Sequence, residues 1–175
     1  MKTILLASIL LLFQASVVWG CSCINAVVSE KQKIAAAYQQ DDLIFVGRVV
    51  RVETIVTTDT LRVSDTGPAE QQIRLIRHEM LRYTFAVTQQ LKGLAPGPTV
   101  RVASETSSSS CGKQFKLGSK QLVYAFLVTQ KASLYSGVPE SIVPYYATSL
   151  CNRSQDLNKV KRAELKQLAQ LAKAG

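Results

Sequence analysis

The sequence predicts a mainly β domain with a flanking helix near each end. Its strands suit a small, closed or partly open Greek-key barrel. Three observations carry this. About five apolar or alternating runs, rich in β-branched residues, are separated by turn residues. The first run holds Gly47, where a long strand is expected to bulge or bend sharply. The stretches with a helical period flank that series of strands.

Taken in order, residues 29–40 (SEKQKIAAAYQQ) predict a short helix with Ser29 as its N-cap and Ile34, Ala35 and Tyr38 on one face. Residues 42–56 predict the long first strand. The polar stretch 57–71 (TTDTLRVSDTGPAEQ) predicts a loop. Strand character returns within 72–93, at least from Leu81 to Gln89, and again over 98–104. Residues 104–112 (SETSSSSCG) predict a loop ending on a cysteine. The nearly continuous apolar run 121–130 predicts the most buried strand. Residues 141–149 predict a last edge strand, because Pro144 does not suit a central one. From Gln155 onward, Leu157, Val160, Leu165, Leu168 and Leu171 make a helical stripe.

Residues 1–20 read as a secretory leader: Lys2, the apolar centre Ile4–Phe13, then Val18 and Gly20 before Cys21. The apolar stretch is short for a membrane span, which needs roughly 20 apolar residues. Residues 21–175 are then one exported domain, with Cys21 as its first residue and a soluble monomer expected. The chain carries +9, of which the leader holds only Lys2, leaving about +8. Such a charge favours acidic surfaces of several kinds. Export makes intracellular nucleic acid the least expected of them.

Four cysteines, Cys21, Cys23, Cys111 and Cys151, imply two disulfides in an exported chain. Cys21 and Cys23 are poorly placed to bridge each other, so each is expected to join Cys111 or Cys151. Two bridges two residues apart clamp the N-terminus against the body of the domain.

The ordered set CSC after a leader, a helix, DDLIFVGRVV, YTFAVTQQLKG, CGKQFKLGSKQLVYAF and CNRS before a terminal helix resembles the netrin-like module. Within that family it is similar to the N-terminal domain of the tissue inhibitors of metalloproteinases. The resemblance spans nearly the whole of 21–175. It implies an OB-type five-stranded barrel flanked by helices, and the pairing Cys21–Cys111 with Cys23–Cys151. It also implies a function: inhibition of a zinc metalloprotease, without catalysis and without a cofactor of the chain's own. The α-amine and carbonyl oxygen of Cys21 would chelate the catalytic zinc of the target and displace its water. A terminal amine has a pKa near ~7.7–8.0, so much of it is neutral at physiological pH. Ser22 would face the pocket beside the metal, Ile24 would lie further along the cleft, and Ser109 and Ser110 would form a second ridge. Vertebrate inhibitors carry more cysteines and a second disulfide-rich domain, which this chain lacks.

Other readings compete. The cysteines also serve a purely structural staple. Gly20-Cys21 also fits lipidation at Cys21, which would leave an odd three cysteines. Catalysis is not expected, since His78 is the only histidine, Glu53 and Glu79 look isolated, and no thiol is expected to be reduced. A non-inhibitory binding module is the alternative. Tyr83, Phe85, Tyr124 and Phe126 alternate in strands, as stacking faces do, although such patterns are more often core. Lys159, Lys161, Arg162, Lys166 and Lys173 on the terminal helix suit a solvated face or a polyanion such as a heparin-like polymer at a cell surface. Asn152-Arg153-Ser154 is a glycosylation sequon where the host is eukaryotic.

Overall fold

The structure is a computed structural model that describes residues 21–23, 27–64, 66, 68, 72–131 and 139–174. The leader and Ile24 lie outside the described residues. The architecture is mainly β with two helices, α1 (Glu30–Gln40) and α2 (Arg162–Ala174). The strands are β1 (Leu43–Arg62), β2 (Ile73–Lys92), β3 (Thr99–Glu105), β4 (Lys120–Lys131), β5 (Glu140–Ala147) and the short β6 (Gln155–Asp156). Their order is β1-β2-β3-β5-β4-β6, and a further β1–β4 pairing closes five of them into a ring.

β1 makes that closure possible because Ile44–Arg48 is paired on both edges, to β2 and to β4. Register shifts at Ile44/Phe45, Val46/Gly47 and Val49/Arg51 bend it. A Cβ at Gly47 would stand 3.0 Å from both the Ala86 carbonyl oxygen and the Phe45 ring, a tight contact that glycine avoids at the bend. Both faces of its first part, Leu43–Val46, are consequently buried. Leu43, Phe45 and Val49 point into the ring, where Phe45, Tyr83, Phe85 and Phe115 pack edge to face at 5.0–5.4 Å. Ile44 and Val46 point outward and meet Leu122 and Tyr124 of β4 beneath Ile34 of α1 and Leu168 of α2.

Ser29 caps α1 as expected, in a reciprocal box with Gln32. Ala37, rather than Ala35, joins Ile34 and Tyr38 against the core. At the other end of α1, Lys92 Nζ donates to the carbonyls of Tyr38 (2.5 Å), Gln39 (3.3 Å) and Asp41 (2.6 Å). It thereby satisfies acceptors that a helix end leaves open.

Three expectations need correction. The loop expected at 57–71 begins later than that, since β1 and β2 stay paired from Val52↔Tyr83 out to Arg62↔Ile73 and 57–62 is strand; 65, 67 and 69–71 lie outside the described residues. The threonines there are β-branched and lie opposite a strand-forming partner, which outweighs their polarity. β5 lies between β4 and β3 in the sheet order, although only its last two residues, Tyr146 and Ala147, pair with β3. It tolerates Pro144 because the β4–β5 register breaks between Val128 and Gln130, so no ladder bond is needed there. Finally, Gln155–Lys159 is a two-residue strand and a 3-10 turn, not helix. Leu157 and Val160 still pack on the second core, so their apolar spacing reflects burial without a continuous helix.

Candidate functional site

The two bridges are Cys21–Cys111 and Cys23–Cys151, with Cα separations of 5.1 and 5.3 Å. Each anchoring cysteine is held by its own hydrogen-bonded turn, and the turns are joined. Ser107 caps the 3-10 turn Ser108–Ser110, its side chain accepting from the Ser110 amide. Cys111 ends that turn in the left-handed conformation, φ 61°. Gly112 then donates to Ser107 O at 2.7 Å. No other residue fits there: a Cβ would lie 2.2 Å from Glu105 O and 2.6 Å from Ser107 O. Lys113 N donates to the buried Ser104 hydroxyl at 2.7 Å and fastens the turn to β3.

The second anchor sits on β4. Thr148 Oγ1 donates to Tyr124 O at 2.8 Å, and Tyr124 N donates to Ser154 Oγ at 2.8 Å. Between them, Asn152 Oδ1 accepts from the Ser149 amide and hydroxyl, and Asn152 Nδ2 donates to Asp41. Arg153 pairs with Glu164 at 3.0 Å and Glu30 at 3.3 Å, tying both helices to the same turn. Leu150 N donates to Cys111 O at 2.7 Å and joins the two anchors directly. The sulfurs of Cys21, Cys111 and Cys151 therefore crowd within 4.8 Å. They are bridged rather than ionised, so this cluster is not a set of metal ligands.

On this base, Ser22 is exposed between two half-buried cysteines, with Ser109 and Ser110 exposed alongside on the turn that holds Cys111. The bridge to Cys111 thus links Cys21, the neighbour of Ser22, to the turn that carries Ser109 and Ser110, while Ile24 lies outside the described residues. A lipid anchor on Cys21 would need the sulfur that the bridge to Cys111 already holds.

Electrostatics centre on Asp41. Burial pushes its carboxyl up to about 6, against the opposing pull of the Asn152 hydrogen bond and the Lys92 ammonium. Burial likewise raises the Tyr124 phenol, which donates to Glu164 at 2.8 Å. The Arg153 guanidinium is raised by its hydrogen bond to Glu164.

The remaining candidates separate clearly. Tyr83, Phe85 and Tyr124 are fully buried, so they are core and no stacking face; Phe126 is half-buried. His78 is exposed and pairs with Glu105 at 3.1 Å. Glu53 is not isolated, since it meets Arg51 at 2.7 Å and Arg82 at 3.3 Å, and Glu79 faces Arg77. Lys159, Lys161, Arg162, Lys166 and Lys173 are all exposed. Sequence reasoning missed Gly112, Ser107 and the Asp41–Asn152 contact; a glycine directly after a cysteine was the one available signal for the tight turn. No family model and no curated protein matches the chain. Among the described residues, no helix is long and apolar enough to cross a membrane, and the two disulfides are compatible with an extracellular protein.

Proposed function

We propose that this protein is a secreted, netrin-like inhibitor of zinc metalloproteases, similar to the tissue inhibitors of metalloproteinases. Its closed sheet is on this reading an OB-type Greek-key barrel that carries the ridge and performs no catalysis. Cys21, freed by leader cleavage, presents its amine and carbonyl oxygen to the catalytic zinc of the protease. Ser22 enters the adjacent pocket, Ile24 follows the cleft, and Ser109 and Ser110 flank them. The observation that carries the reading is the double anchoring: residues 21 and 23 are each bridged to a turn, and Leu150 N→Cys111 O joins the two turns. A segment so held loses little conformational freedom on docking, which is how a rigid inhibitor gains affinity.

The test is one added residue. Protein beginning at Cys21 is compared with protein carrying a single alanine before it, against a panel of zinc metalloproteases hydrolysing a fluorogenic peptide. The extension removes the chelating amine from Cys21 and leaves the bridges intact. Inhibition should fall by at least about a hundredfold, roughly 2.7 kcal/mol, with circular dichroism unchanged. Equal inhibition by both forms would refute the mechanism.

A second reading rests on the five exposed cations of the terminal segment, which have no ion-pair partner among the described residues. On it, the protein is a binding module for sulfated polymers or a similarly acidic partner. Retention on heparin that falls steeply with salt and ignores the N-terminal extension favours it.

A further inference from the structure

The outward face of β1, β2 and β3 carries a feature that the ridge does not use. Along β2, residues facing away from Tyr83 and Phe85 include Ile76, His78, Met80 and Arg82; on β3 they are Arg101, Ala103 and Glu105. With Ile55 and Thr57 of β1 and the start of β5, they bound a groove of about 610 Å³. That lies within the ~300–1,000 Å³ usual for small-molecule sites.

An apolar strip of Ile55, Ile76, Met80, Ala103, Ile142 and Val143 runs through the lining, with Tyr145 and Tyr146 beside it and Lys131 among the polar groups at its margin. Val143 is 88% exposed, so this wall is apolar surface left in water. Methionine adapts its shape to what lies against it. The polar groups are unevenly satisfied. Arg82 is paired with Glu53 at 3.3 Å, and His78 with Glu105 at 3.1 Å. Arg101 is exposed and has no hydrogen-bond or ion-pair partner among the described residues. The groove therefore sets an apolar strip beside the exposed Arg101 guanidinium, within a margin of paired polar groups.

The register sets its length. Arg101 lies opposite Thr84, and Ile76 is eight residues further along β2, roughly 27 Å away at the rise of a strand. One acyl chain spans about half of the ~30 Å hydrocarbon core of a bilayer, so it fits with room for its head.

We propose that this groove binds a single long-chain carboxylate, a fatty-acid anion. Its carboxylate rests on Arg101, whose planar fork matches two carboxylate oxygens. Its chain lies over Met80 and Ile55 toward Ile76. A sulfated oligosaccharide fits poorly, because it would lay repeated anions over aliphatic side chains and the Glu105 carboxylate. Arg101 and Val143 lie outside the ridge, so the proposal stands independently of the inhibitor reading.

The experiment uses the full exported protein and a dansyl-tagged undecanoate as fluorescent probe. Competitors are oleate, oleyl alcohol of equal chain length without charge, and a heparin hexasaccharide. Oleate should displace the probe at micromolar concentration, with oleyl alcohol at least about tenfold weaker. Arg101→Gln should weaken oleate about tenfold and leave oleyl alcohol unchanged, whereas Val143→Asp should weaken both. Both side chains are exposed, so both variants should keep the wild-type circular dichroism spectrum. The proposal is overturned if oleate fails to displace the probe up to roughly 100 μM, if neither variant changes binding, or if the heparin hexasaccharide displaces the probe and oleate does not. Adding alanine before Cys21 should leave oleate binding untouched, so the two proposals fail separately.

Discussion

Asp41 is 2% exposed, and its pKa is raised from 3.8 to about 6. The folded state therefore holds a proton that the unfolded chain has released. The stabilisation this gives is fully present below about 3.8 and is lost as pH rises to about 6. Asp41→Asn should remove that dependence while keeping an acceptor for Asn152. Thermal unfolding of both proteins across this range should show the variant gaining on wild type by a few degrees as pH rises. A gap that does not change with pH would contradict it. Gly112→Ala tests the turn beneath the ridge. The added Cβ would press on two backbone carbonyls, so a loss of roughly 2–3 kcal/mol is expected in urea unfolding. Inhibition should weaken with it, because Ser109 and Ser110 belong to the same turn. Ser22→Gly leaves an exposed position unburdened and should change protease preference without shifting the urea midpoint. Ser22 was legible from its place between two cysteines. Asp41 was not, because nothing local to DD at 41–42 says which carboxylate becomes buried; that depends on the turn at 149–152 docking from over a hundred residues away.

The β1–β2 ribbon is the element whose extent the sequence hid. Its outer part, from Val56↔Glu79 to Arg62↔Ile73, pairs beyond the end of β3, which stops at Glu105 opposite Met80. Two strands without further neighbours add little independent stability. Replacing 57–78 by a two-residue Asn-Gly turn should thus move the unfolding midpoint by no more than a few degrees. The same deletion removes Ile76 and should abolish oleate binding, which the dansyl probe reads. Polarity made this stretch look like a loop, although cross-strand pairing decides the matter. The strands around it were readable because their alternation is apolar. The groove was not readable, because which side chains face outward depends on the bulges in β1. The helix α1 was legible from Ser29 and the apolar face that follows it, both local signals, and the capping box with Gln32 reinforces the same start.

At the scale of the whole molecule, the disulfides span 90 and 128 residues. With one intact, the other still closes a loop of roughly 40 residues or more, so removing either pair by serine substitution should cost about 4 kcal/mol in the chain-entropy description. Chemical denaturation of the two double variants checks this; a cost under ~1 kcal/mol for both would show that the bridges position the ridge rather than stabilise the fold. That two bridges exist followed from cysteine parity and the expectation of export. Which cysteine joins which required the resemblance, because spacing alone left two arrangements open. The Asn152 amide has a further bearing on how the protein is made. Its nitrogen is spent on Asp41, and its sequon partner Ser154 is 3% exposed. A sugar attached there during synthesis would replace one of the two amide hydrogens and crowd that contact, loading the tether between α1 and the turn that carries Cys151. Material from a glycosylating cell and material from a bacterial periplasm would then be two different folded products, and the choice of production host becomes a structural variable.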